Sequence, residues 1–184
     1  MSNTSKVKLG KILLKQKLVS SEELDSALTD QKENGNARLA SKLLEKGIAD
    51  EQKLLEALAT QHEVQPINLD ELEISLICLE AVPKEIAQKQ LVLPVWTTFE
   101  TIHLAMANPG DQQAIGEVEL LSGKKVIPLV TLQTQIKSTI DACYDAYISG
   151  QQVYRGPKVS ARDKAISELD MLSPKKEKTD VSNI

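Results

Sequence analysis

Two stretches of the chain carry the same pattern, KLGKILLKQKLVSSEELDSALTDQ at residues 8–31 and RLASKLLEKGIADEQKLLEALATQ at residues 38–61. Aligned at an offset of 30, they are identical at seven of 24 positions. A leucine-rich composition gives about two to three such identities by chance, so the pattern indicates an internal repeat. The identical pairs are Leu9/Leu39, Leu13/Leu43, Leu14/Leu44, Leu24/Leu54, Ala27/Ala57, Leu28/Leu58 and Gln31/Gln61.

Each copy of the repeat predicts two short helices, because its apolar residues keep a spacing of three or four. Ser20 and Glu23 have the spacing of a capping box, which places a helix start just after Ser20. Asp50 occupies the same position in the second copy and is a plausible N-cap. The segment 34–36, Asn-Gly-Asn, is predicted to be the loop between the copies.

The leucines of the repeat are most simply the core of a four-helix bundle. Gln31 and Gln61 are harder to explain in this way, because each places an amide at the end of a leucine face. Such an amide makes either a hydrogen bond at the helix end or a contact with a ligand.

The pattern changes after the repeat, from helical spacing to short β-like runs that alternate with helices. Asn108 to Asp111 form a strong turn signal, and Asp111 is suited to cap the following helix. The acidic segment 65–74 is interpreted as a solvated linker. The predicted elements are strands at 91–95 and 102–107, a helix at 112–121, a strand at 125–130 and a helix at 132–147.

These patterns predict an α+β fold with three parts. Residues 1–63 form a four-helix tandem-repeat subdomain, residues 64–147 a small α/β subdomain, and residues 148–184 a mostly disordered, flexible tail or linker. The tail is polar and contains the basic run 175–178. A short amphipathic helix at 162–172 is the one element expected in it.

Charge and composition exclude several classes of function. The formal net charge of −4 does not suit a protein that binds a polynucleotide backbone. The sequence contains no secretory signal and no apolar run long enough to span a membrane, so we expect a cytoplasmic protein without membrane insertion. The two cysteines and two histidines, Cys78, Cys143, His62 and His103, are isolated, so no metal site is predicted.

The sequence also lacks the motifs of an enzyme. The segment 116–125, GEVELLSGKK, has six residues between its glycines and a lysine where a phosphate-binding loop needs Ser or Thr. The Gly123–Lys124 pair is therefore interpreted as a turn before a strand. No nucleophile–base arrangement is present, so we predict neither catalysis nor a cofactor.

With both segments considered, the chain resembles the N-terminal domain of type II secretion and type IV pilus assembly ATPases, the MshEN class of cyclic di-GMP receptors. That family carries a doubled motif of 24 residues that begins with Arg-Leu-Gly and ends with Gln. The similarity covers roughly residues 7–147 and extends to Val82–Pro83, Ala87, Leu93–Val95, Leu104–Asp111, Gly123 and Tyr144. No Walker motif occurs in the sequence, so the resemblance implies the regulatory domain without the ATPase core.

The resemblance implies that both motif copies contact cyclic di-GMP, whose two equivalent halves suit a tandem repeat. Three motif positions depart from the family: Lys8 replaces an arginine, and Lys17 and Ala40 replace glycines. Lys8 keeps the charge but lacks the planar fork of a guanidinium. The predicted ligand-binding residues are Lys8, Leu9, Gly10, Leu24, Leu28, Gln31, Arg38, Leu39, Ala40, Leu54, Leu58 and Gln61.

Two functional hypotheses follow. The first is a non-enzymatic regulatory module that binds cyclic di-GMP and relays it to a protein partner, such as a secretion or pilus motor. The second is a protein-docking module of the same fold that has lost nucleotide binding, which the substitutions at positions 8, 17 and 40 favour.

Overall fold

The computed structural model of the chain describes residues 8–33 and 38–172. Within these ranges the chain forms eight α-helices and six β-strands, so the predicted α+β class is confirmed. The predicted loop at 34–36 and the basic run at 175–178 lie outside the described residues. Among the residues described, no helix is both long enough and apolar enough to cross a membrane.

The tandem repeat forms four helices that pack across the two copies. Helix α1 lies against α4, and α2 lies against α3, so each copy covers the apolar face of the other. Leu13, Leu43 and Leu54 have no exposed surface at the centre of this bundle. The four helices are α1 (Leu9–Lys15), α2 (Ser21–Glu33), α3 (Leu39–Glu45) and α4 (Glu51–His62).

The predicted helix starts are confirmed by side-chain hydrogen bonds. The backbone N–H of Ser20 donates to Glu23 Oε2 at 2.8 Å, and the backbone N–H of Glu23 donates to Ser20 Oγ at 3.2 Å. These hydrogen bonds lower the pKa of Glu23. Asp50 Oδ1 accepts from the backbone N–H of Gln52 at 3.0 Å and of Lys53 at 3.3 Å. Both caps satisfy amides that a helix start leaves unpaired.

The first helix of each copy ends in the same left-handed turn. Lys17 has a φ of 55° and the equivalent Gly47 has a φ of 65°. In both copies the N–H of this residue and of the next one donates to carbonyls of the preceding helix, at 2.9 to 3.0 Å. A lysine at this position carries a steric cost that glycine avoids.

The second segment is built around a four-stranded sheet with the order β1-β5-β4-β3. Strands β3 and β4 form an antiparallel hairpin, while β5 runs parallel to both β4 and β1. Its strands are β1 (Gln65–Pro66), β3 (Val92–Thr97), β4 (Thr101–Met106) and β5 (Lys125–Val130), and its helices are α5 (Lys84–Gln90), α6 (Gln112–Ser122) and α7 (Gln133–Ile148).

Local sequence signals placed α6 and β5 correctly. Asp111 Oδ1 accepts from the backbone N–H of Gln113 and of Ala114, both at 3.1 Å, which confirms the predicted cap. Gly123 ends α6 with a φ of 65°, and β5 begins two residues later. The Gly-Lys pair is therefore the turn before a strand, as predicted.

The segment 65–74 is not the solvated linker that its acidic residues indicated. It forms β1, a 3-10 helix at Leu69–Glu71 and the start of strand β2 (Glu73–Ser75). Leu69 and Ile74 have no exposed surface. The apolar side chains point inward between outward-facing carboxylates, and the charge of the segment masked this alternation.

The structure also differs from the expected disordered tail for part of residues 148–184. Strand β6 (Val153–Arg155) pairs antiparallel with β2, and helix α8 (Pro157–Leu172) follows it. A second 3-10 helix, Leu76–Ala81, continues from β2. The backbone after β6 passes close to the backbone of Asp70. Glycine is required at position 156, because a Cβ there would lie 2.3 Å from the backbone oxygen of Asp70. Residues 173–184 lie outside the described part of the chain.

The left-handed turns predict opposite effects for two matched substitutions. Lys17→Gly should raise the free energy of unfolding by about 0.5–1 kcal/mol, because the gain from removing strain exceeds the added chain entropy. Gly47→Ala should lower it by about 1 kcal/mol for the converse reason. Urea denaturation measures the free energy of unfolding of both variants. A change in the same direction for both would contradict the left-handed backbone conformation at these two positions.

Candidate ligand-binding cavity

A cavity of about 250 Å³ lies between the helical repeat and the carboxyl ends of β4 and β5. Carboxyl ends of parallel strands are a common location for ligand sites in open sheets. Seven of the twelve residues predicted from the sequence line it, namely Leu9, Gln31, Arg38, Leu39, Ala40, Leu58 and Gln61. The repeat thus brings most of the predicted residues to one place.

Arg38 provides the positive charge of the cavity. It precedes α3 with an extended backbone, and its Nη1 donates to the carbonyl oxygen of Ala107, just after β4. Burial lowers the pKa of Arg38, and attraction to Asp111 partly offsets this. A guanidinium remains charged under such a shift, so Arg38 presents a partly desolvated cation to the cavity.

Gln31 and Gln61 occupy equivalent positions of the two copies. Both side chains are half-buried and both line the cavity. Among the described residues, neither amide makes a hydrogen bond to another protein group. The alternative of a helix-end hydrogen bond therefore has no support in the described structure, and both amides are available to a ligand.

Five predicted residues do not line the cavity. Leu54 has no exposed surface and Leu24 only 7%, so both belong to the core of the bundle, and Leu28 packs against that core. Gly10 lies against Leu24, where an added Cβ would be 3.1 Å from Leu24 Cδ2. Lys8 is exposed on the surface. Helix packing, rather than ligand approach, accounts for the glycine.

Sequence reasoning missed five other residues of the cavity wall. Ser41 and His62 are neighbours of motif residues in the chain, so proximity to the motif was a usable signal. The other three residues follow the carboxyl ends of the parallel strands β4 and β5. Only the sheet topology brings these strand ends next to the repeat. The missed residues are Ser41, His62, Ala107, Thr131 and Gln133.

A polar network beside the cavity forms a second link between the repeat and the second subdomain. Gln135 Nε2 on α7 donates to Glu51 at the start of α4 and to Asn68 Oδ1 at 2.9 Å. Thr131 Oγ1, in the cavity wall, donates to Gln135 Oε1 at 3.2 Å. Gln135 is 5% exposed, so these bonds satisfy a buried amide and fix the position of α4.

Comparison with known proteins assigns the chain to a family. Residues 51–149, more than half of the chain, match the MshEN domain. The chain belongs to the MshEN domain family. The match begins at Glu51, inside the second motif copy, so the doubled motif itself stays a prediction.

The sequence relatives of this MshEN chain are much longer proteins. It is 31% identical over 137 residues to the type IV pilus assembly ATPase PilB of Myxococcus xanthus (strain DK1622), which covers 74% of this chain and 24% of PilB. It is 27% identical over 128 residues to bacteriophage adsorption protein B of Escherichia coli (strain K12). This similarity covers 70% of this chain and 17% of that protein. The chain thus spans about a quarter or less of the length of these relatives.

Solved structures share the fold. A structure of MshE with cdg (cyclic di-GMP) is 25% identical and has a TM-score of 0.61, covering 75% of this chain and 99% of that one. The N-terminal domain of XpsE is 19% identical and has a TM-score of 0.53, covering 77% and 96%, and supports the fold alone.

The family also bears on catalysis. The MshEN domain is a regulatory N-terminal domain without the ATPase core, and the ATPase activity of the pilus assembly relatives lies in their other domains. The prediction of a non-enzymatic module is therefore confirmed for the matched region.

The division between core and cavity leucines predicts different stability effects. Leu54→Ala should lower the free energy of unfolding by about 2–4 kcal/mol, because it leaves a void in a closed core. Leu58→Ala, in the half-exposed cavity wall, should cost only about 1 kcal/mol. Urea denaturation of the two variants measures this, and equal losses would contradict the assignment of Leu54 to the core.

Proposed function

We propose that this MshEN domain is a regulatory module that binds cyclic di-GMP in the cavity between the repeat and the sheet. Occupancy is relayed to a motor of the secretion or pilus type in the cytoplasm. The observation that carries this proposal is the convergence of Arg38, Gln31 and Gln61 on one cavity with leucine walls. The similarity to MshE, whose structure was solved with cdg, supports the choice of ligand.

The charges of the cavity suit a cyclic dinucleotide, which carries two phosphates. Arg38 is the one lysine or arginine among the residues that line the cavity. Its guanidinium can pair with a phosphate or stack on a guanine. Lys8, on the exposed surface beside Leu9, adds a second positive charge near the rim.

The size of the cavity sets how the ligand lies. Sites for small molecules usually measure about 300–1,000 Å³, and this cavity measures about 250 Å³. A molecule as large as a cyclic dinucleotide therefore fills the cavity and extends across its open rim. We expect the exposed Lys8, which precedes Leu9 in the chain, to meet the part of the ligand at the rim.

The repeat gives the cavity an approximate symmetry that matches the ligand. Leu9 and Leu39 are equivalent positions of the two copies, as are Gln31 and Gln61, and all four line the wall. The leucines cover apolar ring faces, and the amides hydrogen-bond polar edges. Two similar halves of one ligand thus meet two similar surfaces.

Arg38 also provides a route from ligand to partner. Its bond to the Ala107 carbonyl joins the repeat to the sheet. A phosphate that takes over the guanidinium weakens this link and changes how firmly the two subdomains hold together. Differential contacts of this kind are what a ligand needs to shift a conformational equilibrium.

A second candidate is a protein-docking module of the same fold that does not bind nucleotide. The Ala40 methyl narrows the cavity wall where the family motif has glycine. Large apolar side chains are also exposed near the β3–β4 hairpin, where Phe99 is 95% and Trp96 is 63% exposed. Exposed apolar side chains of this size are typical of protein interfaces.

Calorimetric titration with cyclic di-GMP tests the proposal, with GMP and ATP as control ligands. We expect saturable binding at low micromolar concentration or tighter. Arg38→Ala should weaken it by about ten- to a hundredfold, because a charge-assisted contact is lost. Arg162→Ala, which removes the same charge from the exposed surface of α8, should leave affinity unchanged.

Absence of heat up to about 100 micromolar, where binding is worth only some 5.5 kcal/mol, would reject the receptor and favour the docking module. Equal losses in the two arginine variants would instead show that the ligand responds to net charge and not to this cavity.

Restoring the family residues predicts a gain of affinity. Lys8→Arg should tighten binding several-fold, because a guanidinium pairs with phosphate in a bidentate fork. Ala40→Gly should also tighten it by widening the wall, although glycine inside α3 costs about 1 kcal/mol of stability. Lys11→Arg, on the exposed face of α1, is the matched control. If Lys8→Arg and Lys11→Arg have the same affinity as the original chain, position 8 does not meet the ligand.

A further inference from the structure

An open groove with a volume of about 680 Å³ runs along strand β6. Residues 151–155 line it together with Ala142 and Ala146 of α7 and Ser160 of α8. None of these residues lines the cavity between the repeat and the sheet. The groove is therefore a separate feature of the surface, next to the two-stranded sheet of β2 and β6.

One edge of β6 is hydrogen-bonded to β2. The backbone N–H of Leu76 donates to the carbonyl of Gln152 at 2.8 Å, and the backbone N–H of Gly156 donates to the carbonyl of Leu72 at 2.9 Å. Along an antiparallel pair, only alternate residues direct their backbone groups at the partner strand. The register therefore turns the backbone groups of residues 152, 154 and 156 towards β2.

The backbone groups of Val153 and Arg155 point to the other edge of β6. Among the described residues, β2 is the one strand that pairs with β6, and neither backbone takes part in a hydrogen bond to a turn, cap or side chain. Two N–H donors and two carbonyl acceptors are thus left without a protein partner. They repeat every second residue, or about 6.7 Å, which is the repeat of another extended backbone.

Helix α7 gives the groove an apolar wall with small side chains. Ala142 is exposed and Ala146 is half-buried, and the two lie one turn apart on the same face of the helix. Tyr154, between the two residues with free backbone groups, packs its side chain against the core. A strand added beside β6 would likewise turn alternate side chains inward, and the alanines leave room for them.

The charge beside the groove is already paired. Arg155 Nε donates to Glu73 Oε1 at 3.0 Å, and Arg155 Nη1 lies 3.6 Å from Asp163 Oδ2. The guanidinium is therefore engaged within the chain, and it gives the groove no strong preference for an anion or a cation. Recognition here depends on backbone hydrogen bonds and on apolar contact with α7.

We propose that the free edge of β6 is a docking site for an extended, uncharged segment of a partner protein. The segment pairs antiparallel with β6, as β2 does, and becomes the third strand of this sheet. Its inward side chains are apolar and lie over Ala142 and Ala146. The proposal is independent of cyclic di-GMP, because the two sites share no residue.

Hydrogen exchange of the free chain is the first test. The amide proton of Tyr154 faces β2, whereas those of Val153 and Arg155 face the groove. We expect the amide of Tyr154 to exchange at least about tenfold more slowly than the other two. Equal protection of all three amides would show that a second copy or another part of the chain already covers the edge, and would overturn the proposal.

The second test titrates the full chain with a capped pentapeptide, Thr-Val-Thr-Val-Thr, that is N-methylated at both valines. In an antiparallel strand with inward valines, the threonine N–H groups face β6, and the methyl groups block the opposite edge of the peptide. We expect saturable shifts of the Val153 and Arg155 amide signals with a Kd below about 1 mM. The isomer that is N-methylated at two threonines instead should bind at least about tenfold more weakly.

Two pairs of variants locate the contacts. Val153→Pro removes one free N–H from an edge strand, where proline is tolerated, and should weaken the peptide about tenfold, whereas Val153→Thr keeps the N–H and should not. Ala142→Gln places a long side chain in the groove and should also weaken binding. Ala161→Gln, at an exposed position of α8 outside the lining, is its control.

Two results of the titration would also overturn the proposal. One is no saturable shift up to about 10 mM peptide. The other is the absence of a preference for the isomer that is N-methylated at the valines. The comparison of isomers uses the original chain, so it remains decisive even if Val153→Pro does not fold.

Discussion

The bond between the Arg38 guanidinium and the Ala107 carbonyl joins the helical repeat to the sheet. A partly buried cation is costly unless it is paired, and here one carbonyl and the nearby Asp111 offset part of that cost. The same contact places a positive charge in the wall of a cavity that three leucines, two alanines and six polar residues also line. Arg38 thus links the two subdomains and gives the cavity wall its positive charge.

The two copies of the repeat have kept their backbone but not all of their chemistry. Both end their first helix in a left-handed turn, although one has Lys17 where the other has Gly47. The leucine and glutamine pairs of the cavity are equivalent in both copies, whereas Lys8 lies outside the wall that Arg38 helps to form. One copy therefore contributes the positive charge of the cavity wall, and both copies contribute its leucines and glutamines.

The parts of the fold that the sequence predicted depend on local interactions. The caps at Ser20, Asp50 and Asp111 involve residues within three positions of each other, so their patterns are readable without the tertiary structure. The pairing of β2 with β6 joins residues about 80 positions apart. It also depends on Gly156, and the reason for a glycine there is visible only once Asp70 is known to lie beside it. Long-range pairing of this kind leaves little trace in local composition.

The cavity, too, was predictable where it depends on local patterns and not where it depends on long-range packing. The helical period placed leucines on one face of each helix, but the period is the same for Leu54 in the core and Leu58 at the cavity. The packing of the helices against one another and against the second subdomain decides which of them remains accessible. Ala107 and Thr131 reach the cavity because β4 and β5 are parallel, which the sequence of the repeat does not encode.

The most direct test of ligand placement is the set of intermolecular nuclear Overhauser effects between guanine H8 protons and leucine methyls in the complex with cyclic di-GMP. We expect contacts to the methyls of Leu9, Leu39 and Leu58, and none to Leu54. Contacts to leucines outside this cavity, or no leucine contacts with the chain saturated, would contradict it.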